Sequence, residues 1–490
     1  MSLPPTNSNE EIVPLIINGK NYLGQNKFTV TSPEGKPLWV ATGASADDAT
    51  KAVEAAQAAL PSWAATKASI RRDIFLKASD LFEKRYDELF QCQKEETGAE
   101  DLFIEWILKL TIDNLKEVAG KCSLASGSIP CAPSDGRAAL VLREPYGVIL
   151  GIAPWNAPWP LGVRAFSYAL AAGNTCVLKG PEFSPKCYYH IVDIFREAGL
   201  PDGVLNLVYH QPQDASLVTT TLIAHPAIKK INFTGSTAVG AIVSATAGKY
   251  LKPIITELGG KASLIVLQDA DLEKAAKAAT MGAFLHAGQV CMSTERIIVH
   301  AAVAEAFISL FRASTTAMYG PNAHRPILVS STGYNKTANL VREAVAQGAK
   351  LELGEPPQVL EQGASSSGSL PWMQPVILSN VLPGSDLHEQ ESFGPTVSVY
   401  TFETEAEALR IANDTQYGLS GAVFTRDLAA GLRIAKGYET GAVHINNMTI
   451  HDESNLPHGG AKNSGSGRFT GLAGLDEWLR YKVVTYDEDM

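Results

Sequence analysis

Three observations predict an α/β protein with two parallel-sheet domains. From 146 to 257, short apolar runs (YGVILGIA, TCVLKG, VLNLVYH, IKKINFTG, KPIITEL) alternate with helical stretches near 160–172, 184–198, 214–224 and 236–249. Such alternation gives parallel strands covered by helices on both faces, with ligands at the carboxyl ends of the strands. A second alternating series begins at SLIVL (263–267) and runs through RIIVH (296–300), VSVYTF and AVFT. The chain, at 490 residues, is also longer than one hydrophobic core usually serves.

In chain order, Ser45 with Asp48 three residues later forms a capping-box signal that opens an Ala-rich helix over 45–59. Helical patterns continue through 69–94 and 101–121. Periodicity fails between 122 and 137 (CSLASGSIPCAPSDGR), which predicts a turn or excursion, and AALVLREPYGVIL after it is extended. The two α/β series meet near 257–260. The stretch 353–372, rich in Pro, Gly and Ser, predicts a surface loop, and WLRYKVVTY near the end is a further strand. No repeat of solenoid period is present.

Composition narrows the function classes. A net charge of −10 argues against nucleic acid or an anionic membrane as partner. No window approaches the ~18 consecutive apolar residues of a transmembrane helix. The start, MSLPPTNSNEEIVPL, lacks a basic n-region, and TYDEDM is no targeting address, so the expectation is a cytoplasmic protein. The six cysteines (92, 122, 131, 176, 187, 291) form no CxxC and no zinc-like spacing, so neither a metal nor disulfides are expected. Each is then buried and inert or chemically active, and five of the six are expected to be buried.

Five clusters carry chemistry. Pro154-Trp155-Asn156 follows the strand VILGIA, where the Asn156 amide either donates to a developing oxyanion or bonds its own backbone in a turn. Lys179-Gly180-Pro181-Glu182 ends TCVLK and either holds ribose hydroxyls or forms an exposed salt bridge. FTGSTAVG (233–240) enters a helix through Gly235-Ser236, a place for a phosphate, although the spacing is not GxGxxG and packing alone could require the glycines. Glu257 ends an apolar strand, as a general base or a structural partner. Cys291, in HAGQVCMSTERIIV, is a nucleophile if a base and an oxyanion donor lie beside it, and a buried hydrophobe if not.

Together and in this order the motifs resemble the aldehyde dehydrogenase superfamily, from INGK at 17–20 to the closing segment. They are PWN (154–156), KGPE, FTGS (233–236), ELGGK (257–261), GQVC (288–291), ESFGP (391–395) and PHGGAKNSGSGR (457–468). Glu257 stands 34 residues before Cys291, the spacing this family keeps between base and nucleophile. The resemblance implies a Rossmann-like parallel-sheet cofactor domain (1–122 and 146–256), an α/β catalytic domain (257–455) and a β-strand oligomerisation arm (123–145 and 470–490), hence a homodimer or homotetramer. It implies that Cys291 attacks an aldehyde carbonyl, that Asn156 and the Cys291 N–H stabilise the oxyanion, and that Glu257 activates water to release the acid. The implied cofactor contacts are Ile152, Pro154, Trp155, Lys179, Glu182, Gly235, Ser236, Gly259, Glu391 and Phe393. A carboxylate at Glu182 would repel a 2′-phosphate, so NAD is expected over NADP.

Within the superfamily, CMSTERI (291–297), LGVRAFSYALAAGN (161–174) and TIHDE (449–453) resemble the salicylaldehyde and vanillin dehydrogenase branch. That implies an aromatic aldehyde, with Phe103, Trp106, Trp159, Arg164, Met292, Ile450 and His451 as pocket residues. Phe103, Trp106, Ile107 and Leu110 also have the helical spacing of ordinary core, and Arg164 is either a substrate contact or part of a salt bridge behind the site. The sequence departs from the family at His286, usually Asn and expected here in a solvated loop, and at His458, where Phe is common. Other readings are an aliphatic or semialdehyde dehydrogenase, a CoA-acylating relative (that branch usually lacks the Glu) and a non-catalytic scaffold.

Overall fold

The computed structural model describes residues 12–132, 134–320, 323, 325–360 and 371–487. Both alternating series form sheets. The first has eight strands in the order Gly465–Ser466, Ile254–Glu257, Ile228–Thr234, Val148–Ile152, Thr175–Lys179, Leu205–Val208, Leu15–Ile17 and Lys20–Tyr22. The five from Ile254–Glu257 to Leu205–Val208 are parallel. Every residue of Val148–Ile152, Thr175–Lys179 and Leu205–Val208 is buried, which is why these runs are nearly continuously apolar instead of alternating. From Val148–Ile152 the chain first builds the sheet outward on one side, then returns to add Ile228–Thr234 on the other. The crevice beyond the carboxyl ends of those two strands is thus a topological switch point, and PWN and TGS both leave the sheet there.

The second sheet runs Lys350–Leu353, Val376–Ser379, Thr396–Phe402, Thr294–His300, Ala262–Val266, Ser420–Phe424 and Ala442–Ile445, parallel except for its first pair. Glu257 closes one sheet and Ala262 opens the other, so ELGGK is the joint between them. Arg137–Pro145 and Leu479–Asp487 pair antiparallel along their whole length as a separate ribbon. Ile12–Val13, Pro37–Gly43 and Asn26–Thr31 make a small three-stranded sheet.

The first helix spans Ala46–Ala64, and its capping box forms: Asp48 N–H donates to Ser45 Oγ (3.2 Å) and Ser45 N–H to Asp48 Oδ2 (3.1 Å). The helical pattern over 69–94 divides into Ala68–Lys84 and Tyr86–Thr97, because Arg85 leaves helical geometry and its guanidinium reaches Glu88 and Asp193. The stretch 160–172 is likewise two short helices, Pro158–Arg164 and Ser167–Ala171, parted at Phe166, where φ is −139°. AALVLREPYGVIL serves the ribbon and the first sheet, and Gly147 at φ 132° makes the bend between them.

The excursion at 122–137 holds a short 3-10 turn, Cys122–Leu124, and one bridge from Ser128 to Val141. A Cβ on Gly127 would lie 2.2 Å from the Val141 carbonyl oxygen, so no larger residue fits there. In WLRYKVVTY, Trp478 is buried in the first core and the ribbon strand begins at Leu479. Four cysteines are buried rather than five, because Cys131 lies exposed in the excursion. Of the loop expected at 353–372, residues 361–370 lie outside the described residues. No helix among the described residues is long and apolar enough to cross a membrane.

The capping box yields a stability prediction. Ser45→Ala removes the side-chain acceptor for the Asp48 N–H and should cost about 1 kcal/mol, read as a lower urea midpoint with unchanged activity.

Candidate active site

Cys291 reaches the crevice through a tight reversal. His286, Ala287 and Gly288 are all left-handed, at φ 52°, 56° and 71°. The Gln289 side chain fastens the loop after them: its Nε2 donates to the carbonyls of His286 (3.0 Å) and Ile327 (3.1 Å), and its Oε1 accepts from Val329 N–H (2.9 Å). The Gln289 carbonyl in turn accepts from Asn156 Nδ2 at 2.9 Å. That bond uses one of the two Asn156 amide hydrogens and leaves the other for a ligand. The joint ELGGK supports the loop from below. A Cβ on Gly260 would lie 2.2 Å from the Cys291 carbonyl oxygen, and one on Gly259 would lie 2.5 Å from Glu391. Both glycines are therefore set by close backbone approach.

The Cys291 thiol donates to Glu257 Oε1 at 3.0 Å. Glu257 is almost wholly buried (1% exposed), and burial alone would raise its pKa. His458 Nε2 at 3.5 Å, Arg164 Nη1 at 3.6 Å and the thiol outweigh that penalty and hold Glu257 down at about 2. Burial and the neighbouring carboxylate push Cys291 the other way, well above an ordinary thiol. The resting pair is thus a neutral thiol facing a charged carboxylate, the arrangement of a nucleophile and its base. Asp452 closes the group by pairing with Arg164 and standing 3.8 Å from His458 Nδ1.

Cys291 and Glu257 border a cavity of about 260 Å³. Ten of the predicted site residues line it: Pro154, Trp155, Asn156, Gly235, Ser236, Glu257, Gly259, Cys291, Glu391 and Phe393. Helix Thr237–Lys249 opens onto it, capped by the Ser236 hydroxyl, which accepts from Val239 N–H (3.4 Å). The first N–H groups of that helix suit a pyrophosphate. Farther along the cleft, Glu391 accepts from Gly260 N–H (2.9 Å), and Trp155 meets Phe393 and Phe183 edge-on with ring centroids 6.0 Å apart. A helix start, a carboxylate and an aromatic wall along one cleft fit a nicotinamide dinucleotide.

Residues 22–484 match the model of the aldehyde dehydrogenase family. The chain belongs to this family. It is 42% identical over 481 residues to a vanillin dehydrogenase of Pseudomonas sp. strain HR199, covering 96% of this chain and 97% of that one. A crystal structure of a salicylaldehyde dehydrogenase from Pseudomonas putida G7, complexed with salicylaldehyde, superposes with a TM-score of 0.92 at 36% identity, over 97% of this chain and 98% of that one. Betaine aldehyde dehydrogenase from Staphylococcus aureus in complex with NAD+ gives a TM-score of 0.91 at 27% identity, over 98% and 95%.

Some residues expected at the site of this aldehyde dehydrogenase stand elsewhere. Phe103, Trp159 and Ile450 have no accessible surface and belong to the core, not the cavity wall. Trp159 packs edge-on against Phe82, and Phe103 stacks on His286 with centroids 4.5 Å apart. Trp106 is half-buried beside Phe103, and Met292 is buried with its carbonyl accepting from Thr449 Oγ1 (2.7 Å). His451 turns from the cavity to pair with Glu453 (2.8 Å). His286 is buried instead of solvated, because the left-handed reversal turns its ring inward.

Arg164 is held in ion pairs with Asp452 and Glu257. Ile152 and Lys179 are buried at strand ends, Glu182 is half-buried just beyond, and none of the three is on the cavity surface. The cavity also has walls that the sequence did not mark. Val329 and Ser330 lead into helix Ser331–Ala346, Gly333 and Lys336 lie in its first turns, Leu161 opens the LGVRAFSYALAAGN stretch and Phe183 follows KGPE. Only the Ser330 cap, accepting from Gly333 N–H at 3.2 Å, left a sequence signal.

One cluster of metal-ligand residue types went unseen because its members are far apart in sequence. The Cys92 and Cys187 sulfurs are 3.7 Å apart beside Glu96. The Glu96 carboxylate already accepts N–H groups from Lys186 (2.9 Å), Cys187 (3.0 Å) and Trp39 (3.1 Å).

Any side chain at residue 260 must displace the nucleophile's peptide. Gly260→Ala should lower kcat about 100-fold while the far-ultraviolet circular dichroism spectrum is unchanged.

Proposed function

We propose that this chain oxidises aromatic aldehydes of the hydroxybenzaldehyde type to carboxylic acids with NAD. The observation that carries the reading is the Cys291 thiol held 3.0 Å from a charged Glu257, with the Asn156 amide on the same cavity wall. Glu257 accepts the thiol proton as sulfur attacks the carbonyl carbon. The remaining Asn156 amide hydrogen and the Cys291 N–H then meet the oxyanion. Bound NAD supplies the hydride acceptor when the thiohemiacetal becomes a thioester. Once the thiol proton has left Glu257 for solvent, the carboxylate takes a proton from water, hydroxide attacks the thioester, and the C–S bond breaks to release the acid and a Cys291 thiolate that is reprotonated to the resting thiol. Cys291→Ala should abolish oxidation, and Glu257→Gln should release one equivalent of reduced cofactor in a burst followed by slow turnover.

The aromatic preference is supported by the substrates that name the vanillin and salicylaldehyde dehydrogenases. It is tested by a panel of aromatic, aliphatic and semialdehyde substrates followed at the absorbance of reduced NAD. Equal or better turnover of short aliphatic aldehydes would overturn it.

Glu182, with Lys179, sits at the end of the strand that the family motif assigns to the adenine ribose, where a carboxylate repels a 2′-phosphate. Wild type should prefer NAD, and Glu182→Gln should narrow the ratio of kcat/KM for NAD over NADP. A wild-type preference for NADP would refute this assignment.

The same reading gives the cofactor to 1–122 with 146–256, catalysis to 257–455, and assembly into a homodimer or homotetramer to the ribbon. The ribbon exposes Tyr481, Val483 and Tyr486. Six unpaired cysteines, the nucleophile among them, suit a reducing cytoplasm.

A further inference from the structure

Glu257 must regain its negative charge after each water is deprotonated, yet it is buried. Its immediate polar surroundings, apart from the thiol, are Arg164 and His458. Arg164 cannot take a proton, since a guanidinium stays charged. His458 can. Its Nε2 is buried, makes no hydrogen bond among the described residues and lies 3.5 Å from Glu257 Oε1; Glu257 Oε2 likewise makes none. Its Nδ1 faces Asp452 Oδ1 at 3.8 Å, and its backbone is fixed by Thr470 Oγ1 accepting its N–H at 3.0 Å and by its carbonyl accepting from Phe469 N–H at 2.9 Å. The imidazole therefore bridges two carboxylates, with its edge 10% exposed toward solvent. The charged and titratable groups facing it are Glu257 from strand Ile254–Glu257, Arg164 from helix Pro158–Arg164, Asp452 from its own loop and, farther off, His444 from strand Ala442–Ile445.

We propose that His458 is the positioning residue that accepts the proton from Glu257 during thioester hydrolysis, with Asp452 stabilising the imidazolium. This rests on the thioester reading above. The balance is closed. The water O–H breaks and its proton goes to Glu257; hydroxide forms the new C–O bond, and the C–S bond breaks to return Cys291 thiolate. The proton passes from Glu257 Oε1 to His458 Nε2 and the Nδ1 proton leaves to solvent past Asp452, the route also taken by the thiol proton that Glu257 accepted in the first step; exchange with solvent returns the imidazole to its Nδ1–H tautomer, Cys291 thiolate takes one proton back to become the resting thiol, and Glu257 is a carboxylate again. Acid reverses the benefit, because an imidazolium already in place cannot accept a proton and clamps Glu257 as an ion pair. Hydrolysis should therefore slow in acid.

The test is the pH dependence of kcat, KM and the pre-steady-state burst for wild type, His458→Phe, which restores the residue common in the family, and His458→Asn. In wild type, kcat should fall in acid and the burst should grow more distinct from the slower turnover that follows. In both variants kcat at pH 8 should drop about tenfold with KM within about twofold, this acid limb should vanish, and added imidazole should partly restore His458→Asn. Wild-type kcat and an unchanged pH profile in His458→Asn would overturn the relay. So would a wild-type enzyme with no acid limb, a result that needs no variant to fold. If no aldehyde is oxidised, or if Cys291→Ala remains active, the thioester reading itself fails; if oxidation is normal and only the acid limb is missing, the relay alone fails.

Discussion

The site depends on keeping one buried carboxylate charged. Left alone at its depth, Glu257 would take up a proton and lose its value as a base. Arg164 opposes that from one side while His458 stands 3.5 Å away on the other, and Asp452 pairs with Arg164 and lies 3.8 Å from His458 Nδ1, so four groups from three parts of the chain close a ring. The neighbouring backbone serves this arrangement. Leu258 N–H bonds to the Ser464 carbonyl, the Gly259 carbonyl accepts from Ser464 Oγ, and the two glycines of ELGGK let Cys291 and Glu391 approach on either side. A ring of this kind is costly to desolvate and is weak support for overall stability. Its return is a base and a nucleophile that meet at hydrogen-bond distance before any substrate arrives.

Much of the architecture was legible because strands buried on both faces leave continuous apolar runs, and helices leave capping and periodic signals. The breaks at Arg85 and Phe166 were not, since an ion pair across 108 residues and a local backbone turn leave periodicity intact. At the site, the motifs that touch the cavity carry chemistry tied to backbone geometry (PWN, TGS, ELGG, ESF), and these were recoverable. Depth was not. Phe103, Trp159 and Ile450 have the same apolar character whether they wall a cavity or fill a core, and here they fill it. His286 shows the same limit from the polar side: a histidine in a Gly-containing loop suggested solvent, and three left-handed residues turned it onto Phe103. The Arg164–Asp452 pair joins residues 288 apart, beyond what any local pattern reports.

Strain gathers around the reacting atoms. His286, Ala287 and Phe393 are non-glycine residues at positive φ, conformations that cost on the order of 1 kcal/mol each. They persist because neighbours over-determine them. Gln289 fixes the nucleophile loop through three bonds, and the Glu295 carboxylate accepts the N–H groups of Ser392 (2.8 Å) and Phe393 (3.4 Å) while pairing with Lys261. Loops that would otherwise relax are thereby held in the shape the cavity requires.

The edge of the first sheet has a consequence for the order in which the protein matures. Ile254–Glu257 is covered on its outer side by Gly465–Ser466, and the nine-residue strand Arg137–Pro145 waits for Leu479–Asp487. During synthesis both strands emerge long before their partners, with open hydrogen-bonding edges. His458 and the Ser464 contacts to the joint arrive in the same late segment. The earlier strands can thus form while the base is still unsupported, and both the first core and the surroundings of the reactive pair are completed only when the segment from His458 to Leu479 docks. A chain cut before this segment has an exposed strand edge in place of a working site.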